Sequence, residues 1–479
     1  KENRGEVQIQ VQVTNTGDRD GKEVVQVYFE APQGRLGKPK RQLIAFAKTR
    51  ALKPGEAQRL YLSFAIRNMA SYDDMGKVQK AAYVLEEGDY LFYVGTSVRD
   101  TALVDYVYQL KEDIIVEQLE SRLTPSCLPK RMLADGSYEE LPQSERNDPN
   151  ANELERMPED KMEGDVPAVR GRGRYQLWKE PYKKGARIFK EVAEGKLTPE
   201  EFLAQLTDEE VAHLLGGQPN TGVANTFGYG NLPEYGVPSI MTADGPAGLR
   251  IAPECGVTTT CWPCSTLLAC SFNPEIVEAV GLAGGAEVKE NNIAMWLTPA
   301  VNIHRSPLCG RNFEYYSEDP YLAGKLASAM VRGIQANHIG ATVKHFALNN
   351  KETNRKNSDS RVSERAVREI YLRAFEIIVR EAKPWSIMTS YNIINGHRAS
   401  ENADLLEGIL RKEWGFDGCI TTDWWTCGEH YKEVKAGNDI KMGCGYPERL
   451  LEALEKGCLT REEMDACALR VLKLILKID

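Results

Sequence analysis

The sequence predicts a multidomain protein, an all-β sandwich followed by a (β/α)8-like barrel of the TIM type. Three observations carry this. Apolar and polar residues alternate with period two over the first hundred positions. After about residue 191, strand-like and helix-like patterns take turns. Polar residues then gather where the predicted strands of that second part end. A chain of 479 residues suits two or three domains, and 42% hydrophobic with 27% charged side chains is a globular composition.

Residues 1–116 are assigned to the sandwich. Val7, Ile9, Val11 and Val13 interleave with Gln8, Gln10 and Gln12, and Asn15-Thr16-Gly17 turns the chain. Strand-like runs recur at Val24 to Phe29, Gln42 to Phe46, Leu60 to Phe64 and Tyr90 to Val94, separated by turn signals such as Lys53-Pro54-Gly55 and Glu87-Gly88-Asp89. No catalytic constellation falls here, so this domain is expected to brace another. Residues 117–190 read as an extended linker or docking segment. The stretch 144–165 is rich in charge, poor in large apolar side chains and carries Pro149 and Pro158, while Leu177, Trp178 and Tyr182 suggest a docked later part.

Residues 191–479 are assigned to the barrel. Strands are expected at Ser239–Asp244, Leu267–Phe272, Met295–Ile303, Ala341–Ala347, Trp385–Tyr391, Cys419–Asp423 and Ile440–Met442. Helices are expected at Pro274–Glu290, Tyr321–Asn337, Glu364–Ala382, Asp404–Trp414, Glu448–Lys456 and Arg461–Lys477. Asn273-Pro274 supplies an N-cap with proline at the first helical position, and Thr460 with Glu463 makes a capping box. Seven strands, most followed by a helix, fit a barrel better than an open doubly wound sheet.

Several functions are disfavoured. A net charge of -9 with no basic tract argues against nucleic acid as a partner. No apolar run reaches membrane-spanning length and Lys1-Glu2-Asn3-Arg4-Gly5 has no signal-peptide core, so a cytoplasmic location is expected. An opening without Met, almost directly in a strand, suggests that the numbering starts inside a longer polypeptide. Eleven cysteines, an odd number, suit reduced thiols. Cys261-Trp-Pro-Cys264, near Cys255 and Cys270, lacks the second pair of a metal site. No GxGxxG or P-loop follows a strand and no His/Cys/Asp set has metal-ligand spacing, so no cofactor or metal is expected.

The most informative segment is Gly415 to Trp425, where a β-branched run leaves a turn and delivers Asp423 with Trp424 and Trp425 beside it. An N-cap aspartate before core tryptophans would explain it equally well in isolation. The other predicted strands end similarly, however. Asp244-Gly245-Pro246 closes one, with Arg250 beyond. Asn302 and His304 lead to a loop with Arg311, Glu314, Glu318 and Asp319. Lys344-His345 precedes Asn349, Asn350, Glu352 and Arg355, and another strand delivers Tyr391-Asn392. The carboxyl ends of barrel strands are where chemistry sits. A carboxylate beside an indole face, with Asp acceptors and Lys, Arg and His donors around it, suits a small glycoside or oligosaccharide.

These segments resemble glycoside hydrolase family 3, most closely its β-glucosidase-like members. The resemblance rests on Thr242-Ala-Asp-Gly-Pro-Ala-Gly248, Gly310-Arg-Asn-Phe-Glu314 with Ser317-Glu-Asp-Pro320, Lys344-His-Phe346 with Glu352-Thr-Asn-Arg355, Thr389-Ser-Tyr-Asn392 and Gly415–Trp425. It implies that Asp423 is the catalytic nucleophile. It further implies that Asp244, Arg311, Lys344, His345 and Arg355 bind sugar hydroxyls, that Tyr391 supports the nucleophile, and that Trp424 shapes the site near the leaving group. Asn15-Thr-Gly17, Lys22-Glu-Val-Val-Gln-Val27, Leu52-Lys-Pro-Gly55 and Gly88-Asp-Tyr-Leu91 resemble the family's fibronectin type III-like domain.

In most family members that domain comes last, after an α/β sandwich domain; here it precedes the barrel. The resemblance therefore implies an inverted order, with an α/β sandwich domain supplied from upstream or by a separate chain. That domain would carry the general acid/base glutamate, with Glu352 and Glu314 as weaker candidates inside this chain. The loop Ala347–Arg355 lacks the His-Asp pair of the β-N-acetylglucosaminidase branch. The expected function is a retaining exo-acting β-glycosidase, foremost a β-glucosidase. The alternatives are a sugar-binding or regulatory protein without turnover, and a β-xylosidase or α-arabinosidase with the same chemistry.

Overall fold

The computed structural model describes residues 2–3, 5–144, 154–158 and 183–478. Pro149, Leu177, Trp178 and Tyr182 lie outside the described residues.

The N-terminal part packs two antiparallel sheets face to face. One holds Gln42–Lys48, Val24–Glu30, Gly88–Ser97 and Asp100–Leu110 in that order, and the other pairs Glu6–Thr14 with Ala57–Ala65 and with Glu2–Asn3. Period-two alternation produces this directly. In Glu6–Thr14 the apolar residues face inward, Val7 opposite Phe64 and Ile9 opposite Leu62, and join Val27, Phe29, Tyr90 and Phe92 in one core. A smaller sheet of Ser71–Asp73, Ala82–Leu85 and Ile114–Gln118 lies against the second domain.

Polar contacts and shared apolar surface join the two parts. Arg365 donates to the carbonyls of Leu36 at 2.7 Å and Gly37 at 2.8 Å, and the Tyr72 amide donates to Glu369 at 2.6 Å. Tyr28 and Leu43 of the sandwich belong to the same apolar cluster as Ala323, Leu326 and Ile378 of the second domain. Residues between 117 and 144 contain a short hairpin, Lys130–Met132 with Tyr138–Glu140, and the Arg122 amide donates to Glu364 at 2.9 Å.

The second part is built on a six-stranded sheet in the order Gly228–Leu232, Val237–Ala243, Met295–Trp296, Gly340–Phe346, Ser386–Thr389, Cys419–Thr422. The first pair is antiparallel and the other four pairings are parallel. Single bridges continue it: Thr421 to Ile440 and Gly216 to Lys441, both parallel, and Gln218 back to Gly228, antiparallel. Helices Pro274–Glu290, Pro320–Gln335 and Arg461–Ile475 follow the expected patterns, with Asn273, Asp319 and Thr460 capping them.

Two expectations for this sheet are corrected: the strand expected at Met295–Ile303 is confined to Met295–Trp296, and the one expected at Leu267–Phe272 is absent. Leu267–Phe272 is not a strand; Ser265–Cys270 forms a helix with Leu268 and Ala269 buried and Leu267 60% exposed. A short apolar run does not by itself separate a strand from a buried helical turn. Gly228–Leu232 is a further strand, assigned to no element from the sequence, and it contains two glycines. They are required by packing. A Cβ on Gly228 would lie 2.2 Å from the Ile240 carbonyl oxygen, and one on Gly230, which has φ of +83°, 2.4 Å from that of Pro238.

None of the eleven cysteines is in a disulfide, and no group of acidic, His or Cys side chains among the described residues could hold a metal ion. Among the described residues no helix is long and apolar enough to cross a membrane.

Candidate active site

Asp423 follows directly on the strand Cys419–Thr422, with its amide bonded to the Thr389 carbonyl of the neighbouring strand at 3.1 Å. That pairing fixes where its side chain emerges. Asp423 is 8% exposed as a residue; Oδ1 accepts the Trp424 amide at 2.8 Å, and Oδ2 has no hydrogen-bond partner among the described residues. The nearest cationic-type nitrogen to Oδ2 is His345 Nε2 at 3.7 Å. Burial raises the Asp423 pKa above the usual aspartate value, against the opposing pull of Arg311, Lys344 and Arg355.

Lys344 and His345 are consecutive, yet both reach the same cavity. In a regular strand they would face opposite sides. The pairing of Gly340–Phe346 with Ser386–Thr389 slips between Lys344 and Phe346, and such an irregularity re-aims side chains. Lys344 Nζ donates to Asp244 Oδ1 at 2.6 Å, and Arg250 Nη1 to Asp244 Oδ2 at 3.1 Å. Burial alone would raise the Asp244 pKa; Lys344 and then Arg250 outweigh it and hold it at about 2.

Arg311 is gripped by Glu314 through Nε and reaches His345 Nε2 with Nη2 at 2.9 Å. Burial works against its charge, but Tyr315, Glu314 and Asp423 raise its pKa further. The Arg355 guanidinium lies 4.3 Å from the centre of the Tyr391 ring and donates to Glu352 at 3.0 Å. The Tyr391 hydroxyl donates to the Trp424 carbonyl at 2.7 Å and so ties down the loop that carries Asp423. Burial, then the Asp423 charge, pushes the Tyr391 pKa up, so this phenol stays protonated.

All eight residues singled out from sequence, Asp423, Asp244, Arg311, Lys344, His345, Arg355, Tyr391 and Trp424, line one cavity of about 730 Å³. Sequence reasoning missed Asn225 and Thr226, which precede the unrecognised strand, and Leu297 and Met388, whose apolar side chains look like core. Phe313 also lines it and is 53% exposed at the cavity wall. Other polar residues of these loops lie outside the cavity and hold the surrounding backbone. Asp319 caps the helix Pro320–Gln335, His304 bonds to the Asn312 and Tyr315 carbonyls, and Asn392 donates to the Ala347 carbonyl.

The depressed Asp244 pKa has a consequence for stability. A carboxyl whose pKa falls from 3.8 to about 2 on folding stabilises the protein fully above its ordinary range. It loses that contribution as the pH drops from about 4 towards about 2, some ~2 kcal/mol in all. Asp244→Asn is therefore less stable than the parent at pH 6, and chemical denaturation should show the gap closing on acidification. A gap that persists unchanged at pH 2 contradicts the ion-pair assignment.

Residues 231–474 match the glycosyl hydrolase family 3 N terminal domain, and residues 23–98 match a fibronectin type III-like domain. Beta-glucosidase A of Butyrivibrio fibrisolvens is 63% identical over 460 residues, covering 95% of this chain and 55% of that protein. A beta-glucosidase structure from Paenibacillus barengoltzii has 41% identity and a TM-score of 0.85 over 98% of this chain and 54% of its own. Beta-glucosidase 3B of Thermotoga neapolitana, solved in complex with glucose, has 44% identity and a TM-score of 0.56 over 58% of this chain and 42% of its own. The chain spans about half the length of the curated relatives it matches. The first of these family matches spans half of the chain and contains all eight of the cavity residues singled out from sequence: this chain belongs to glycosyl hydrolase family 3.

Proposed function

We propose that this chain holds the nucleophile-bearing part of a retaining, exo-acting β-glucosidase. In this reading the sheet is a TIM-type barrel. The bridges from Thr421 through Ile440, Lys441 and Gly216 to Gln218 and Gly228 support closure, with one antiparallel strand in place of a fully parallel set. The observation that carries the function is the buried, unpartnered Oδ2 of Asp423, facing a cavity shared with Lys344, Arg311 and Arg355.

Asp423 Oδ2 attacks the anomeric carbon of a terminal glucoside. The bond from that carbon to the leaving oxygen breaks as the ester to Asp423 forms, and the leaving oxygen takes a proton from a general acid. Water then attacks the same carbon, gives a proton to the resulting conjugate base and frees Asp423. Asp244 and Lys344 hold hydroxyls on one side of the ring and Arg311 and Arg355 on the other, with the His345 ring bonded to Arg311 on that side, while Trp424 flanks the leaving group. Retention needs the two carboxyls about 5 Å apart. An α/β sandwich domain, encoded upstream or on a separate chain, would supply the acid/base glutamate. The relatives named beta-glucosidase support the glucoside assignment.

A 2-fluoroglucosyl fluoride tests this, because fluoride departs without help from an acid. The expected result is a stable mass increment on the peptide containing Asp423. Sugar binding without any increment would make the chain a sugar-binding protein instead.

A further inference from the structure

Asn302, outside the cavity lining, grips His345 at three points. The His345 amide donates to Asn302 Oδ1 at 2.9 Å, Asn302 Nδ2 donates to the His345 carbonyl at 2.9 Å, and Nδ1 of the ring lies 3.3 Å from the same Oδ1. The first two contacts involve backbone groups of fixed polarity, so the orientation of the Asn302 amide is determined by chemistry. An oxygen therefore faces Nδ1, and Nδ1 must carry a proton. On the other side of the ring, a guanidinium has only N–H groups to offer. Arg311 Nη2 at 2.9 Å from Nε2 must donate, and Nε2 must be bare.

We propose that Asn302 is a positioning residue that locks His345 as the neutral Nδ1–H tautomer, so that Nε2 lends a lone pair to Arg311 and places neither a proton nor a second positive charge against Asp423. An imidazolium would turn Nε2–H towards an Arg311 N–H, and a hydrogen bond from Nε2 would take up the lone pairs of the Asp423 oxygen left without a partner. The charged groups around the ring are Arg311 and Lys344, Arg355 from the following loop, and Asp423; the Tyr315 hydroxyl lies 3.4 Å from Nδ1. Burial, followed by the three cations, pushes the ring's pKa well below its ordinary 6.5. The catalytic meaning rests on Asp423 being the nucleophile. The tautomer does not.

Nitrogen-15 NMR of the full chain, labelled at its six histidines and assigned with His345→Gln, reads the ring directly. The expected signal is a protonated Nδ1 and a bare Nε2, unchanged between pH 8 and pH 5. Asn302→Asp sets a carboxylate against Nδ1. The ring then titrates within that range, and kcat/KM for an aryl glucoside falls about tenfold per pH unit below the new pKa. Asn302→Ala removes the contacts without adding charge; with only Arg311 still opposing a proton on Nε2, the Nε2–H form becomes detectable beside the Nδ1–H form. A protonated Nε2 in the parent overturns the proposal, as does a ring that stays Nδ1–H and non-titrating in both variants. The parent spectrum decides the tautomer whether or not Asn302→Asp folds. A chain that shows the Nδ1–H ring but traps no fluorosugar would sink the proposed function and leave the tautomer standing.

Discussion

With Asp423 as the proposed nucleophile, Asp423→Asn is expected to lower kcat/KM for a 2,4-dinitrophenyl β-glucoside by about 10,000-fold or more, the scale seen when a nucleophile is removed from an otherwise intact site. An asparagine keeps the shape of the side chain, and its carbonyl oxygen can still accept the Trp424 amide as Oδ1 does now. Its amide nitrogen has no lone pair free to attack a carbon. The loss should therefore fall on kcat, with KM changed little. The dinitrophenolate leaves unaided, so the assay isolates the nucleophile from the acid/base group. Stability should move the other way. Because burial outweighs Arg311, Lys344 and Arg355 and raises the Asp423 pKa, the folded state holds this carboxylate at a cost at neutral pH. The variant should unfold no earlier than the parent. Activity retained within about tenfold of the parent would place the nucleophile elsewhere.

Much of this site was legible in the sequence because barrel strands advertise their ends. A β-branched run bounded by a glycine turn and closing on a carboxylate marked Cys419–Thr422 and Asp423, and the eight residues that the family resemblance picked out, most of them at or just beyond such ends, share one cavity. Two kinds of information were not legible. Packing between backbones is invisible in a string of letters, which is why the strand Gly228–Leu232 went unassigned and Leu267–Phe272 was expected as a strand. Partner choice across long separations is equally hidden. Asn302 and His345 are 43 residues apart, and nothing local in either segment announces that one orients the other. The same holds for the buried pair Lys441 and Glu433, eight residues apart, whose bond to each other no local pattern announces.

Lys441 and Glu433 are buried together, with side-chain exposures of 2% and 0%. Lys441 Nζ donates to Glu433 Oε2 at 2.9 Å, to the Gly428 carbonyl at 2.9 Å, and to the Thr426 hydroxyl and carbonyl at 3.1 and 3.3 Å. Glu433 Oε1 accepts the hydroxyls of Ser400 at 2.8 Å and Thr426 at 3.0 Å. Burial alone would raise the Glu433 pKa; Lys441 outweighs it and keeps this group ionised. Together they clamp residues 426–428, the continuation of the loop that begins at Asp423 and Trp424. Lys441→Met preserves most of the stem's volume but strands a buried carboxylate and two carbonyls, and should cost about 3–5 kcal/mol, read as a lower urea midpoint for the second domain. Pairing it with Glu433→Met removes the stranded charge and should restore much of the loss, since a buried ion pair replaced by apolar groups of similar size is often close to neutral. Both variants leave every cavity-lining side chain in place, so any fall in turnover by the restored double variant measures how far the clamp, separately from stability, holds Asp423 on its target.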